Sequence, residues 1–276
     1  MMKTLIHSLL LLQVLLLLNF YYLSAQSFTW AKSPVGSIFG SHISVDSKGN
    51  SYFTGHSYGT VAFDTIQYVG YNGIDIFLAK YDANGNCKWA KHAGSDDPDH
   101  DPWGDYGCGT SIDAKGNCYL SGYFLGEAFF DTIKLFAYGW EDIFIAKYDS
   151  NGNCLWEKNA GGTERNHGYG ISVDPSGNSY LTGSFSDTAT FGTIRLISYG
   201  DEDIFLAKYD TYGNCLWAKH AGGSSRDVSY SISIDACGNS YITGLNYETV
   251  IFDTIQLTGT GGFIAKYDSS GNCQWV

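Results

Sequence analysis

Short runs rich in β-branched and aromatic residues are broken by polar corners along the chain, and no segment keeps a 3.6-residue apolar period. One such stretch, Ile43-Ser44-Val45-Asp46-Ser47-Lys48-Gly49-Asn50-Ser51-Tyr52, returns at residues 111–119, 171–180 and 232–241. Its aspartates are Asp46, Asp113, Asp174 and Asp235, at intervals of 67, 61 and 61 residues. A second segment, Phe77-Leu78-Ala79-Lys80-Tyr81-Asp82, returns at Phe144, Phe205 and Phe263. It leads each time to Gly-Asn-Cys and then to Trp89, Trp156, Trp217 or Trp275. A third, Phe63-Asp64-Thr65-Ile66, returns at Phe130, Phe191 (with Gly192 replacing Asp) and Phe252.

The recurring Asp-x-x-Gly-Asn lies between two strand-like runs. Asp suits the first position of a type I turn, where its side chain accepts N–H groups just ahead. Gly three residues on takes the left-handed conformation that closes a three-residue hairpin. The corners pair Asp46 with Gly49, Asp82 with Gly85, Asp113 with Gly116, Asp149 with Gly152, Asp174 with Gly177, Asp210 with Gly213, Asp235 with Gly238 and Asp268 with Gly271. Two corners per period give two hairpins, or four main strands. The Phe-Asp-Thr-Ile link adds a short extra strand pair. Four antiparallel strands every 60 or so residues predict an all-β chain, a β-propeller of four-stranded blades. A β-helix needs shorter coils, and stacked sandwiches need about seven strands per unit.

The order Asp-x-x-Gly-Asn-x-Tyr-x-x-Gly, then Asp-Ile-Phe-x-Ala-Lys-Tyr-Asp, resembles the seven-bladed-β-propeller repeat family of bacterial exported proteins. The resemblance covers about residues 28–276 and implies a propeller fold with a surface or secreted location. It implies no catalytic residues. Only four full repeats are present, so an incomplete ring is expected, the alternative being a small closed four-bladed ring. The units run over about 28–87, 88–154, 155–215 and 216–273, with a further one begun at 274–276; Trp30 matches the same strand as Trp275.

Residues 1–25 differ from the rest. Lys3 is their only charge, and an apolar run over residues 9–18, broken by Gln13, leads to Ser24-Ala25-Gln26. This is a secretory leader layout, with cleavage expected after Ala25 and propeller repeats over 26–276. The competing reading is an uncleaved anchor, because residues 5–23 are long enough to span a bilayer. No second apolar run has that length, so no span is expected after cleavage. The formal net charge is −12, and losing Lys3 makes it one unit more negative. Such a field repels phosphate backbones, so nucleic acid is not expected as a partner.

In a four-stranded meander the corners share one face and the remaining links share the other. Binding usually resides in variable links on a rigid scaffold. Any ligand face is therefore expected near residues 94–107, 160–169, 221–229, 123–141 and 184–202, with Arg165, His167 and Arg226 among its residues. The first of these holds Asp96, Asp97, Asp99, His100, Asp101 and Trp103 between two prolines. They offer oxygen ligands for Ca²⁺, but their spacing matches no defined calcium loop, and a solvated acidic loop is the plainer reading. No other cofactor is expected.

Seven cysteines are present, four of them (Cys87, Cys154, Cys215, Cys273) in one repeat column. Equivalent points on neighbouring blades are too far apart to bridge. Counting outward from each corner sets Tyr81, Tyr148, Tyr209 and Tyr267 opposite them, and Ile112 opposite Cys118. Free thiols packed beside tyrosine rings are expected, with no Cys108–Cys118 bond. The recurrent tryptophans read as packing between blades, and Lys80, Lys147, Lys208 and Lys266 should point to the opposite strand face. The functional expectation is a non-enzymatic, secreted or cell-surface module that binds a protein or glycan or acts as a scaffold. The alternatives are a sialidase-like hydrolase, which needs three converging arginines from Arg165, Arg195 and Arg226, and a structural spacer for a further domain.

Overall fold

The structure, a computed structural model, describes residues 30–95 and 104–276. The leader expected at residues 1–25 lies outside them, as do Asp96, Asp97, Asp99, His100, Asp101 and Trp103. Residues 33–276 form one unit; residues 30–32 belong to another and have no regular secondary structure.

Every described element is a strand. The first blade comprises β1 (Val35–Val45), β2 (Ser51–Phe63), β3 (Ile66–Tyr81) and β4 (Cys87–Gly94). The second comprises β5 (Tyr106–Ile112), β6 (Cys118–Phe130), β7 (Ile133–Tyr148) and β8 (Cys154–Ala160). The third comprises β9 (Asn166–Val173), β10 (Ser179–Phe191), β11 (Ile194–Tyr209) and β12 (Cys215–Gly222). In the fourth, β13 (Val228–Ile234) and β14 (Ser240–Asn246) precede a separate hairpin, β15 (Thr249–Phe252) and β16 (Ile255–Thr258). It ends with β17 (Gly261–Tyr267) and β18 (Cys273–Trp275). All named pairings are antiparallel. The inner strands β1, β5, β9 and β13 pack in chain order. Among the described residues no strand of the fourth blade pairs with the first, so the ring is not seen closed.

The eight corners explain why the chain reverses where it does. In the first, the Asp46 N–H donates to the Asn50 carbonyl at 2.9 Å and the Gly49 N–H to the Asp46 carbonyl at 3.0 Å. One carboxylate oxygen accepts the N–H groups of Lys48 and Asn50, both at 2.9 Å, and the other accepts the Asn50 side chain at 2.7 Å. Gly49 has φ 80°, where a Cβ is disfavoured. The same backbone bonds recur at Asp82, Asp113, Asp149, Asp174, Asp210, Asp235 and Asp268.

The Phe-Asp-Thr-Ile link is a hairpin that leaves its own blade. A register shift bends the long strands at Gly59, Gly126 and Asp187, all at positive φ. The hairpin tip then pairs with the outer strand of the preceding blade. Ala93 and Gly94 pair with Phe130 and Phe129, Gly161 bridges Thr190, and Ala221 and Gly222 pair with Phe252 and Ile251. Much of the stretch expected to be link, residues 123–141 and 184–202, is therefore strand. The physical reason is that each alternating apolar tip has a neighbouring sheet edge to bond to.

Cores form between blades. Tyr52, Ile76 and Leu78 of the first blade pack with Leu120, Phe124 and Phe144 of the second. The next junctions repeat this with Ile143 and Ile145 against Leu181 and Phe205, and Leu206 against Ile242 and Phe263. Trp89 and Trp156 donate their indole N–H to the Ser150 and Thr211 carbonyls of the following corner, at 3.2 and 3.1 Å. The lysines do point to the opposite strand face, but that face is covered too. Lys80 and Lys147 are buried, with Nζ 5.0 and 4.7 Å from the Tyr52 and Tyr119 ring centroids. Tyr81, Tyr148, Tyr209 and Tyr267 stand opposite Cys87, Cys154, Cys215 and Cys273, and Ile112 opposite Cys118. All seven cysteines are free thiols.

Candidate functional site

In the first three blades the ends opposite the corners are each organised by one carboxylate, Asp75, Asp142 or Asp203; the fourth blade has Gly261 at that point. In the second and third blades the Asp142 and Asp203 carboxylates accept the N–H of Tyr138 and Tyr199 at 2.7 and 3.0 Å. This curls the segment between them. The other oxygen presses against the end of the outer strand. A Cβ on Gly161 or Gly222 would lie 2.2 or 2.1 Å from it, and one on Gly94 would lie 2.3 Å from Asp75. The following blade brings Asp105, Asn166 and Asp227 to the equivalent points. Their bonds to the preceding blade repeat, as the Asp105 N–H donates to Ile74 O (2.8 Å), the Asn166 amide to Glu141 O (3.2 Å) and the Asp227 N–H to Glu202 O (2.7 Å). Burial pushes the Asp142 and Asp203 carboxyls up to about 7 and Asp227 up to about 6, and lifts Asp105 well above the usual range.

Arg165 and Arg226 sit one residue before Asn166 and Asp227, at matching points of two blades. Each reaches back across its junction, Arg165 to Glu141 (3.5 Å) and Arg226 to Glu202 (3.0 Å). His167 is held between Glu141 (2.7 Å) and the Tyr169 hydroxyl (3.0 Å). It belongs to a row of rings crossing the inner strands: Phe39, His56, Tyr106, Tyr123, His167, Tyr169 and Tyr230, with neighbouring centroids 4.3–5.7 Å apart. Arg195 lies elsewhere and donates to the Thr188 hydroxyl at 3.3 Å. The three arginines thus have three different partners.

A groove of about 760 Å³ opens between the second and third blades on this face. Its walls carry Trp140, Arg165, Asp187, Tyr199 and Asp201. The Arg165 guanidinium lies 5.6 Å from the Trp140 ring centroid, and the Tyr199 ring lies 4.7 Å from that of His220. Both rings nonetheless remain exposed, Trp140 at 60% and Tyr199 at 64%. Of the described residues named for a ligand face, Arg165 lines this groove, whereas His167 and Arg226 serve as interblade links to Glu141 and Glu202. Sequence reasoning missed Trp140 and Tyr199. The signal was present in β7, where Phe136, Tyr138 and Trp140 put aromatics on the strand face that elsewhere carries Lys134. Among the described residues no group of three or more His, Cys, Asp or Glu side chains is placed to hold a metal ion.

Residues 34–61 match the family model described as a beta-propeller repeat. The four-fold repetition of antiparallel strands is the architecture expected of a propeller-like repeat fold, which that match supports. Among curated proteins it is similar to an uncharacterised WD repeat-containing protein of Acanthamoeba polyphaga mimivirus, at 26% identity over 49% of this chain. It is also similar to the regulatory protein FlaEY of Caulobacter vibrioides, at 24% identity over 49% of this chain. These matches span only 12% and 15% of the relatives' own lengths. Among solved structures it is similar to a protein of unknown function from Bacteroides caccae, at 10% identity and a TM-score of 0.34, covering 80% of this chain and 90% of that one.

Proposed function

We propose that this β-propeller repeat protein is an exported, non-enzymatic binding module, and that its ligand face is the one opposite the Asp–Gly–Asn corners. The observation that carries this is the groove between the second and third blades. It combines two exposed aromatic rings with polar side chains on a rigid strand scaffold. Support for export comes from the leader pattern of residues 1–25 and the net negative charge. Support for binding rather than turnover comes from the arginines. Arg165 and Arg226 are each tied to a glutamate across a junction, and Arg195 does not line the groove.

The test is a binding screen of the purified protein against immobilised glycans and peptides, paired with turnover assays on the ligands that bind. Saturable capture without product is the expected result. Hydrolysis of a captured glycoside overturns the reading, as does an absence of binding in every panel.

A further inference from the structure

We infer that the groove between the second and third blades takes a neutral oligosaccharide; this rests on the binding reading above and names the ligand class of that same site. Large aromatic rings divide between the cores, where Tyr52, Phe77 and Phe205 are fully buried, and the surface, where Phe136, Tyr138 and Tyr212 are exposed. Trp140 and Tyr199 are exposed rings on the groove wall, and each is backed on one side, Trp140 by Arg165 and Tyr199 by His220. A ring anchored on one face and open on the other is a preformed platform for the C–H face of a pyranose, with little side-chain ordering left to do on binding.

The polar lining fixes the class further. Glu164, Asp187 and Asp201 line the groove and make no ion pair or side-chain hydrogen bond among the described residues. Free carboxylates accept pairs of hydroxyl protons and repel anions. Sialylated, uronic and sulfated sugars are therefore disfavoured. Among the described residues the three carboxylates are not placed to share one metal ion with other acidic or His side chains. A basic peptide is the next candidate, but the cation seat on the Trp140 indole is already filled by Arg165, where a second cation would meet like charge. The volume, about 760 Å³, lies within the roughly 300–1,000 Å³ range of small-ligand clefts.

The experiment is calorimetric titration of the full chain with three panels: neutral oligosaccharides, sialylated or sulfated ones, and Lys/Arg-rich peptides. Neutral sugars are expected to bind, with Trp140→Ala and Tyr199→Ala each weakening binding at least ~10-fold. Trp140→Phe keeps a flat ring and should stay within ~3-fold of the wild type. Thermal melts by circular dichroism establish that the variants fold. Preference for the anionic panel overturns the inference, as does neutral-sugar binding indifferent to both alanine variants. Groove-dependent capture of peptides alone overturns the sugar class and leaves the binding reading standing. Silence in all three panels takes down both.

Discussion

At the scale of single residues, the glycines ending the outer strands are a sharp constraint tied to the buried carboxylates. Gly222 lets the Asp203 carboxylate approach the backbone, and a Cβ there would sit 2.1 Å from both Oδ1 and the carboxyl carbon. Neither neighbour is the free end of a long side chain, so the clash must be relieved by moving a strand. Gly222→Ala is expected to destabilise the fold by about 1–3 kcal/mol, the usual cost of overpacking, as read by urea unfolding. A Cβ on Gly259 would meet nothing within 4 Å, but the φ of 115° there penalises any side chain, so this position serves as a comparison for backbone strain without a clash. The corners were legible from sequence for a simple reason. Asp, Gly and Asn within five residues satisfy one another locally, so no distant partner is needed. Asp75, Asp142 and Asp203 were not legible as buried groups, because what covers them, the end of the outer strand and residues of the next blade, comes much later in the chain.

At the scale of elements, each junction buries carboxyls that prefer to be neutral. Asp142 and Asp203 rise to about 7 and Asp227 to about 6 through desolvation, against an unfolded value of ~3.9. Between those limits the native state holds protons that the unfolded chain releases, so stability falls as pH rises. Melting temperature is expected to decline from about pH 4 to pH 7 and then level off. Asp227→Asn should flatten that slope, since Asn166 already fills the equivalent point of the preceding junction as a neutral amide. The corners act in the opposite sense at a lower pH. The backbone N–H groups of Asn86 and Asn272 hold the Asp82 and Asp268 carboxylates below their usual value, so that contribution is lost only as pH falls through their lowered pKa. A melt series that rises steadily from pH 4 to pH 8 would contradict the burial of these pairs. The extra strand pair was expected from the Phe-Asp-Thr-Ile segment, but its attachment to the preceding blade was not. Pairing between blades leaves no periodic trace within one repeat. Trp140 escaped notice for a related reason: its column holds Gly73 and Asp201 in the neighbouring repeats, so it is no part of the repeated pattern.

At the scale of the whole molecule, one column shows where the packing stops. Leu78, Ile145 and Leu206 are each 1% exposed, whereas Ile264 at the same point of the fourth blade is 54% exposed. Leu206→Ala is accordingly expected to cost about 2–5 kcal/mol, and Ile264→Ala less than about 1 kcal/mol, both measured by chemical denaturation. Equal losses would mean that the fourth blade is covered in solution.

The hairpin lent backwards from each repeat has a consequence for how the protein comes into being. An outer strand such as β4 or β12 offers a bare hydrogen-bonding edge until the next repeat delivers its tip. During synthesis from the N-terminus every blade is thus born with an unguarded flank, capped only when its successor emerges. A ribosome that stalls between repeats releases a chain whose last finished sheet is sticky, so the interval between repeats is the moment when a chaperone matters most.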